Sequence, residues 1–350
     1  MFKFLASRLL YGFLVLIGAV IVVFFLFNVL PGDPVAMMAG QRTDVSTREA
    51  ITRELGLDKP LYYQLGQYLN DISPISVHED TEANAKKYEY AKLLSMGEYV
   101  LVSKVPYLRR SFQTNKKVSD IIIDNLEGTF WLAFAAMLFA TLVGMILGII
   151  SSLKPNTFLD HAMISGSVIG ISAPPFVIGA LIAMVFGYYL ADYTGLNISG
   201  QLWEDSLTGR KLMLKNLILP AFALGLRPLS IIAQLTRSSM LDVLSQDYIR
   251  TARAKGLKYY KIIIKHALKN ALNPVITAVS GWLASLMAGA FFIERIFNWK
   301  VIGSVTIEAV NVLDFPVVMG STLFVAFVFI VVNIMVDVLY AAVDPRVRLK

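Results

Sequence analysis

Cysteine is absent from the 350 residues of the chain, and histidine occurs only three times. The absence of thiols excludes disulfide bridges, a thiol nucleophile and a zinc site built on cysteine, and it leaves the redox compartment undetermined. His78, His161 and His266 are far apart in the sequence. A metal site needs several ligands held close together, so we predict none.

Charged residues are also scarce. They make up 16% of the chain, against 56% hydrophobic residues, and the mean hydropathy is +0.62. These values are outside the range of soluble globular proteins and indicate an integral membrane protein in a lipid bilayer. A net charge of +7 would suggest a nucleic-acid partner in a soluble protein, but in a membrane protein it is typical of basic cytoplasmic loops. We therefore expect no nucleic-acid partner.

Long apolar intervals mark the candidate membrane spans, because each crossing needs about 20 mainly apolar residues. Six are found, and we predict an all-α protein with six transmembrane helices. The first resembles a signal peptide in being basic and then apolar, but it lacks a small-residue cleavage site, so we interpret it as a retained helix. Arg227 and Pro228 interrupt the fourth. The intervals are 9–30, 128–153, 161–191, 212–236, 270–293 and 317–336.

The basic residues predict the orientation. Segments on the side of the N-terminus hold Lys3, Arg8, Lys154 and the basic run 237–269, whereas the opposite loops mix basic and acidic residues. Lys and Arg in short loops mark the cytoplasmic side. Both termini are therefore predicted to be cytoplasmic.

Residues 31–127 are too polar to be a span and too long to be a simple connection. We predict that they form a small, α-rich extracytoplasmic subdomain. Ser46 followed by Glu49 is typical of a helix N-terminus, and "HEDTEANAKKYEYAKLL" favours a helix by composition. The predicted division is residues 1–30 with the first transmembrane helix, 31–127, and 128–350 with the other five helices.

The cytoplasmic segment 237–270 carries an unusual concentration of charge. The stretch "DYIRTARAKGLKYYKIIIKHALKNALNP" contains seven basic side chains and predicts two short helices that meet at Gly256. One interpretation is a corner that a soluble partner grips. The other is a basic amphipathic segment that lies on anionic lipid.

The order of residues in this segment resembles a known family. "RSSMLDVLSQDYIRTARAKGL" followed by "HALKNALNP" is similar to the cytoplasmic coupling loop of ABC importer permeases in the dipeptide/oligopeptide/nickel branch. Arg250, Thr251 and Ala252 stand where the wider family has Glu-Ala-Ala, and Gly256 matches its glycine. Of the Ile-x-Leu-Pro pattern of importers at large, only Leu268 fits, which again points to the peptide branch.

The resemblance extends over nearly the whole chain. Pro-Gly-Asp-Pro at 31–34 looks like the turn after the first helix of a first-type permease, and "ISAPPFVIG", "FIERIFNW", "DFPVVMG" and "DVLYAAVDPR" also match in order. Two departures are Lys300 and Val301, where the family has Pro-Gly, and an apparent insertion at about 73–106. The resemblance implies the type I ABC importer permease fold in a bacterial inner (plasma) membrane.

The resemblance also implies partners. These are a homologous second permease subunit, two cytoplasmic ATPase subunits and an extracytoplasmic solute-binding protein, with a peptide as the transported solute. The chain has no Gly-x-x-x-x-Gly-Lys-[Ser/Thr] phosphate loop, so we expect no enzyme activity and no cofactor in this subunit, and we assign ATP and Mg to the ATPase. Gly144 and Gly148 form a small-xxx-small pair, which we assign to packing against the second permease.

Two sets of site residues follow from this interpretation. The set for coupling to the ATPase subunit is Tyr248, Arg250, Thr251, Ala252, Ala254, Lys255, Gly256 and Leu257. The set for the translocation path is Arg227, Pro174 and Pro175, because charges and helix breaks inside spans often line a transport route. Arg227 could instead snorkel or pair with a neighbouring subunit, and proline also occurs in ordinary spans.

An alternative function is an ion-coupled secondary transporter or channel that acts without an ATPase. Such a protein would be expected to carry intramembrane carboxylates or a filter-like sequence, and the predicted spans contain almost none. A membrane scaffold that binds lipid through the basic loop is a third possibility.

Overall fold

The computed structural model describes residues 2–29, 52, 58–206, 209–287 and 291–343. The chain divides into two compact units. The larger is formed mainly by Leu126–Ser304, and the smaller by Leu10–Asn125 with Val305–Phe327. The Pro-Gly-Asp-Pro turn and the helix predicted near Ser46 are outside the described residues.

Helices account for most of the described chain. Long apolar runs without internal breaks favour helices because every backbone hydrogen bond can be made within the segment. The helices are α1 (Phe2–Val29), α2 (Leu61–Ile72), α3 (Glu82–Tyr88), α4 (Val118–Leu153), α5 (Phe158–Ser172), α6 (Pro175–Ile182), α7 (Ala191–Thr194), α8 (Lys215–Leu244), α9 (Asp247–Ala254), α10 (Tyr259–Lys261), α11 (Lys269–Met287), α12 (Phe291–Ile296), α13 (Ile302–Asn311) and α14 (Phe315–Val343). Two π-helical segments, π1 (Ala183–Tyr189) and π2 (Ile262–Leu268), extend α6 and α10.

Four helices are long and apolar enough to cross a membrane: α1, α4, α8 and α14. A fifth crossing is added if α5 and the α6–π1 helix, which meet at an angle of 109°, are one broken span. The predicted interval 270–293 contains α11 and the start of α12, and residues 288–290 between them are outside the described part of the chain. Within the described residues the structure therefore supports four or five of the six predicted spans.

Glycines on α4 and α8 allow these two helices of the larger unit to approach closely. A Cβ atom added at Gly144 would lie 2.9 Å from the Leu229 carbonyl oxygen, and one at Gly225 would lie 2.7 Å from that of Ala136. Gly148 packs in the same way on Ala233. The small-xxx-small pair therefore packs against α8 of its own chain, and the assignment to a second permease was wrong. Around this contact lies the main core, which includes Leu132, Ala140, Ile232, Ile293, Phe297 and Trp299.

Residues 58–117, the polar subdomain, belong to the described part of the predicted α-rich segment 31–127, and they combine helices with strands. They contain a three-stranded antiparallel sheet in the order β1 (Ile75–Glu79), β3 (Tyr99–Ser103), β2 (Ala91–Met96). Val100 and Val102 of β3 are fully buried, and their neighbours along the strand are more exposed, which is the alternation expected of a sheet with one covered face. Only Glu82–Tyr88 of the predicted polar helix is helical. His78 and Glu79 at its start, and Ala91, Lys92 and Leu94 at its end, pair with β3, which local composition does not reveal.

Asp71 ties the elements of this subdomain together. Its carboxylate accepts hydrogen bonds from the Tyr88 hydroxyl at 2.9 Å and from Arg109 Nε at 3.4 Å, while its backbone carbonyl accepts from Lys104 Nζ. Burial lowers the pKa of Lys104 to about 8, and burial, followed by the nearby Asp71, raises the pKa of the Tyr88 hydroxyl. The subdomain therefore holds a buried polar network.

Candidate functional site

The corner between α9 and α10 is formed by Gly256. Its φ angle is +72°, in the left-handed region that favours glycine. The Gly256 amide donates to the Arg253 carbonyl at 2.9 Å, and the Leu257 amide donates to the Ala252 carbonyl at 3.4 Å. These two bonds are the Schellman pattern that ends a helix at a left-handed glycine. The predicted break between two short helices is confirmed.

The inner face of α9 is anchored in an apolar cluster of the larger unit. Ile249 is fully buried and Ala252 is 7% exposed. They pack with Met240 of α8, Ile262 and Ile263 of π2, Ala267 and Ala271. Because these contacts join α9 to both α8 and α11, a displacement of α9 would be transmitted to helices on either side.

The outer face of α9 and its corner are open to solvent. Of the eight residues predicted to couple to an ATPase subunit, seven are exposed: Tyr248, Arg250, Thr251, Ala254, Lys255, Gly256 and Leu257. The exception is Ala252, which faces the apolar cluster and not the outside. The Tyr248 hydroxyl accepts a hydrogen bond from Asn270 Nδ2 at 2.9 Å, so the outer face is also held to α11.

The basic residues of the loop are on the surface. Arg250, Arg253, Lys255, Lys258, Lys261, Lys265 and Lys269 are all exposed. Arg250 Nη1 lies 3.4 Å from Asp247 Oδ1 on the same helix, an exposed pair of the kind that adds little stability. The loop thus presents a helix that is packed on its inner face and surrounded by exposed basic side chains.

A second candidate region surrounds the break between α5 and α6. Ala173 has an extended backbone, with ψ of 135°, because the residue before a proline is disfavoured in the helical region. Pro174 caps α6 and Pro175 occupies its first turn, where the missing amide donor is tolerated. The predicted break of the third span is confirmed as a bend of 109°.

A cavity of about 300 Å³ lies in the larger unit beside this break. Pro175 and Arg227 both line it, whereas Pro174 does not. The guanidinium carbon of Arg227 lies 6.0 Å from the centre of the Trp282 ring. The remaining wall is mainly apolar and is formed by Gly170, Ala173, Ile178, Ala223, Leu224, Pro228, Ser285, Leu286, Phe292 and Ile293.

Two protein-family descriptions together match nearly the whole chain. The description "Binding-protein-dependent transport system inner membrane component" matches residues 140–349. A second description, the N-terminal part of binding-protein-dependent transport system membrane components, matches residues 1–133. The chain belongs to this permease family. The predicted resemblance to ABC importer permeases of the peptide branch is confirmed.

Full-length relatives of the permease are found in several bacteria. The di/tripeptide transport system permease protein DppB of Pseudomonas aeruginosa is 35% identical over 366 residues, with 99% of each chain covered. The dipeptide transport system permease protein DppB of Escherichia coli K12 is 35% identical over 369 residues, and the glutathione transport system permease protein GsiC of the same strain is 34% identical over 351; both alignments cover 100% of each chain.

Among solved structures, a chain of the methionine ABC transporter MetNI in an inward-facing conformation aligns with a TM-score of 0.49 and 15% identity. The alignment covers 65% of the permease and 97% of that chain.

Sequence reasoning missed several residues of the two regions. Trp282, Ser285 and Phe292 line the cavity of the permease, but in the sequence they belong to an apolar stretch that gives no sign of a cavity. Asp160 of α5 was also missed. It is fully buried and accepts two hydrogen bonds from Arg237 of α8, from Nε at 2.5 Å and from Nη2 at 2.7 Å. In the sequence, Asp160 is a single aspartate next to the start of the third predicted span. Its partner Arg237 lies 77 residues further along the chain.

Proposed function

We propose that the chain is the transmembrane permease subunit of an ATP-binding-cassette importer and forms the translocation path for di- or oligopeptides. The observation that carries the substrate is the full-length similarity to permeases named for dipeptides, di/tripeptides and glutathione. All three names describe short peptides. A bare metal ion is not favoured, because the described residues contain no group of three or more potential metal ligands.

The proposed coupling element is α9 with its glycine corner. Its inner face is packed on α8 and π2, and its outer face is exposed, so a partner that grips the outer face would move a rigid helix and the helices joined to it. We propose that a groove of a cytoplasmic ATPase subunit, which also binds ATP and Mg, contacts the outer face of α9. Ala252 would contribute by packing beneath that surface and not by contact with the partner.

The assembly proposed for this permease contains a homologous second permease, two ATPase subunits and an extracytoplasmic solute-binding protein. The chain would cross the inner membrane six times, with the broken α5–α6 helix as the third crossing and α11 as the fifth, and both termini would be cytoplasmic. Arg227, Pro174 and Pro175 are assigned to the translocation path. The cavity beside Arg227 supports this assignment.

Gly256 offers a sharp test of coupling. A Cβ atom added there meets nothing within 4 Å, so a larger side chain would not clash within this chain. Gly256→Ala and Gly256→Trp both put a side chain on a left-handed backbone, but only Trp would fill the space assigned to the ATPase. Gly256→Asn is the control for backbone strain, because asparagine tolerates this conformation.

The experiment is affinity purification of the tagged chain from native membrane, with identification of bound subunits and an assay of ATP hydrolysis and peptide uptake. We expect a second permease and an ATPase to be recovered. Gly256→Trp should abolish peptide-stimulated hydrolysis, Gly256→Ala should reduce it and Gly256→Asn should preserve most of it. Recovery of a lone chain without ATPase, from a preparation that keeps other membrane complexes intact, would contradict the proposal and favour a secondary transporter.

A further inference from the structure

Arg227 is an isolated charge in the middle of α8. It is the one charged residue between Lys215 and Arg237, and it is exposed to its surroundings. A rise of about 1.5 Å per residue places it roughly 18 Å from Lys215 and roughly 15 Å from Arg237. These distances are about half the thickness of a bilayer's hydrocarbon core. The position is expensive for a cation unless a partner compensates it.

The cavity beside Arg227 provides no carboxylate as that partner. Among the described residues that line it, Arg227 is the one ionisable side chain. The ring of Trp282 lies 6.0 Å from the guanidinium carbon and stabilises the charge through its π face. A contact of this kind does not use the N–H donors that point outward in the plane of the guanidinium. The geometry therefore suits an anionic group that enters the cavity.

Pro228 adds an acceptor to the same wall. Proline has no amide N–H, so the carbonyl four residues earlier, at Leu224, lacks the donor that an α-helix would normally supply. Leu224 and Pro228 both line the cavity with Arg227. One turn of α8 therefore carries both the positive charge of Arg227 and the Leu224 carbonyl, which receives no helical hydrogen bond from residue 228.

We propose that this cavity binds the C-terminal carboxylate of the transported peptide, with Arg227 as the residue that recognises it. The planar guanidinium matches a carboxylate in a two-point contact, and the Leu224 carbonyl accepts a peptide N–H. The apolar wall with Trp282 and Phe292 holds the side chain next to the carboxylate. This inference rests on the proposed function and defines its substrate as a peptide with a free C-terminus.

The test compares two probes that differ only at that end: radiolabelled alanyl-alanine and its C-terminal amide. Uptake of each is measured in vesicles that contain the complete transporter. The solute-binding protein could itself prefer the free acid, so the quantity that matters is how a substitution changes the acid-to-amide uptake ratio with the same binding protein present. The substitutions are Arg227→Gln, Arg227→Lys and, as the control, Lys215→Gln, which removes an exposed charge from the same helix outside the cavity.

We expect Arg227→Gln to lower the acid-to-amide ratio about tenfold, the scale of one hydrogen-bonded charge contact. Arg227→Lys should retain part of the preference, and Lys215→Gln should leave the ratio unchanged. An unchanged ratio in Arg227→Gln, or an equal loss of both probes with the complex intact, would overturn the inference while peptide transport by the wild type still stood. Failure of a wild-type complex that hydrolyses ATP to take up either probe would instead refute the proposed function, and the inference with it.

Discussion

At the scale of single residues, Asp160 shows how a buried charge can hold two helices together. Its carboxylate is held by Arg237, by the Ser151 hydroxyl and by the Asn156 amide at 2.9 Å. Asp160→Asn removes the charge but keeps the size. Because a buried pair that loses one member leaves the other uncompensated, we expect a loss of about 3 kcal/mol in the free energy of unfolding.

Thermal unfolding of the purified chain in detergent measures this effect. Asp242→Asn is the matched control, since Asp242 is exposed near the end of α8 and its neutralisation should leave the unfolding temperature nearly unchanged. Equal shifts in the two variants would show that the ion pair to Arg237 does not stabilise the fold.

His78 makes the polar subdomain sensitive to acid. The imidazole stacks on the Tyr88 ring with 4.1 Å between ring centres, and its Nε2 lies 3.0 Å from the Ser76 hydroxyl. Burial, and then the positive charges of Lys104 and Lys87, lower the pKa of His78, and Asp71 acts in the opposite direction. Below about pH 6.5 the unfolded chain therefore binds a proton more readily than the folded one.

The contribution of His78 to stability is thus fully present above that pH and is lost as the pH falls. We expect hydrogen exchange in β1, corrected for the intrinsic effect of pH, to accelerate between pH 7.5 and 5.5, and His78→Phe to flatten this change. His266→Phe, outside the subdomain, should not. The same acceleration in the His78 variant would assign the acid sensitivity to another group.

Sequence reasoning at this scale succeeded where one residue type imposes its own geometry. Gly256 predicted a corner between two short helices, and Pro174 with Pro175 predicted a break, because glycine widens and proline restricts the backbone conformations available locally. Trp282 and the partner of Asp160 could not be predicted in this way. Their roles depend on which helices lie side by side, and the composition of an apolar segment does not contain that information.

At the scale of elements, local sequence predicts the helix α9 but does not predict strand β2 of the polar subdomain. The α9 helix is local in origin: its apolar residues Ile249 and Ala252 are three positions apart and face one cluster. Strand β2 has no such signal. Its alanine, lysine and leucine residues favour a helix, and all six of its residues are exposed. Pairing with β3 decides its structure, so a prediction from local composition was wrong there.

The two faces of α9 should respond differently to substitution. Ile249→Ala creates a cavity in the apolar cluster, lowers the free energy of unfolding by about 3 kcal/mol, and should weaken the packing of α9 on that cluster. Arg250→Ala changes an exposed side chain and should leave that packing intact. Hydrogen exchange of residues 247–254 is expected to rise in the first variant and not in the second.

If α9 transmits movement as a rigid helix, Ile249→Ala should also reduce ATP-driven uptake without reducing the amount of ATPase that copurifies. Arg250→Ala should weaken copurification instead. An Ile249 variant with faster exchange but normal uptake would show that the packing of α9 is not needed for coupling.

At the scale of the whole molecule, hydropathy predicted the long helices well and their ends less well. The second predicted span began at residue 128, but α4 begins at Val118, because residues 118–127 continue the same helix before the apolar run. The predicted division at residues 30 and 127 stays a prediction.

The orientation of the chain stays a prediction, and the absence of cysteine makes it easy to test. Ser95 of β2 and Ser245 after α8 are both exposed, and they lie in segments predicted to be on opposite sides of the membrane. A single cysteine at either position would be the one thiol in the chain. With both termini in the cytoplasm, a membrane-impermeant maleimide should label Ser95→Cys from outside and Ser245→Cys only after the membrane is permeabilised, while the unsubstituted chain provides the blank. The reverse pattern would place α9 on the outside, where no ATPase could reach it, and would contradict the proposed coupling together with the positive-inside assignment.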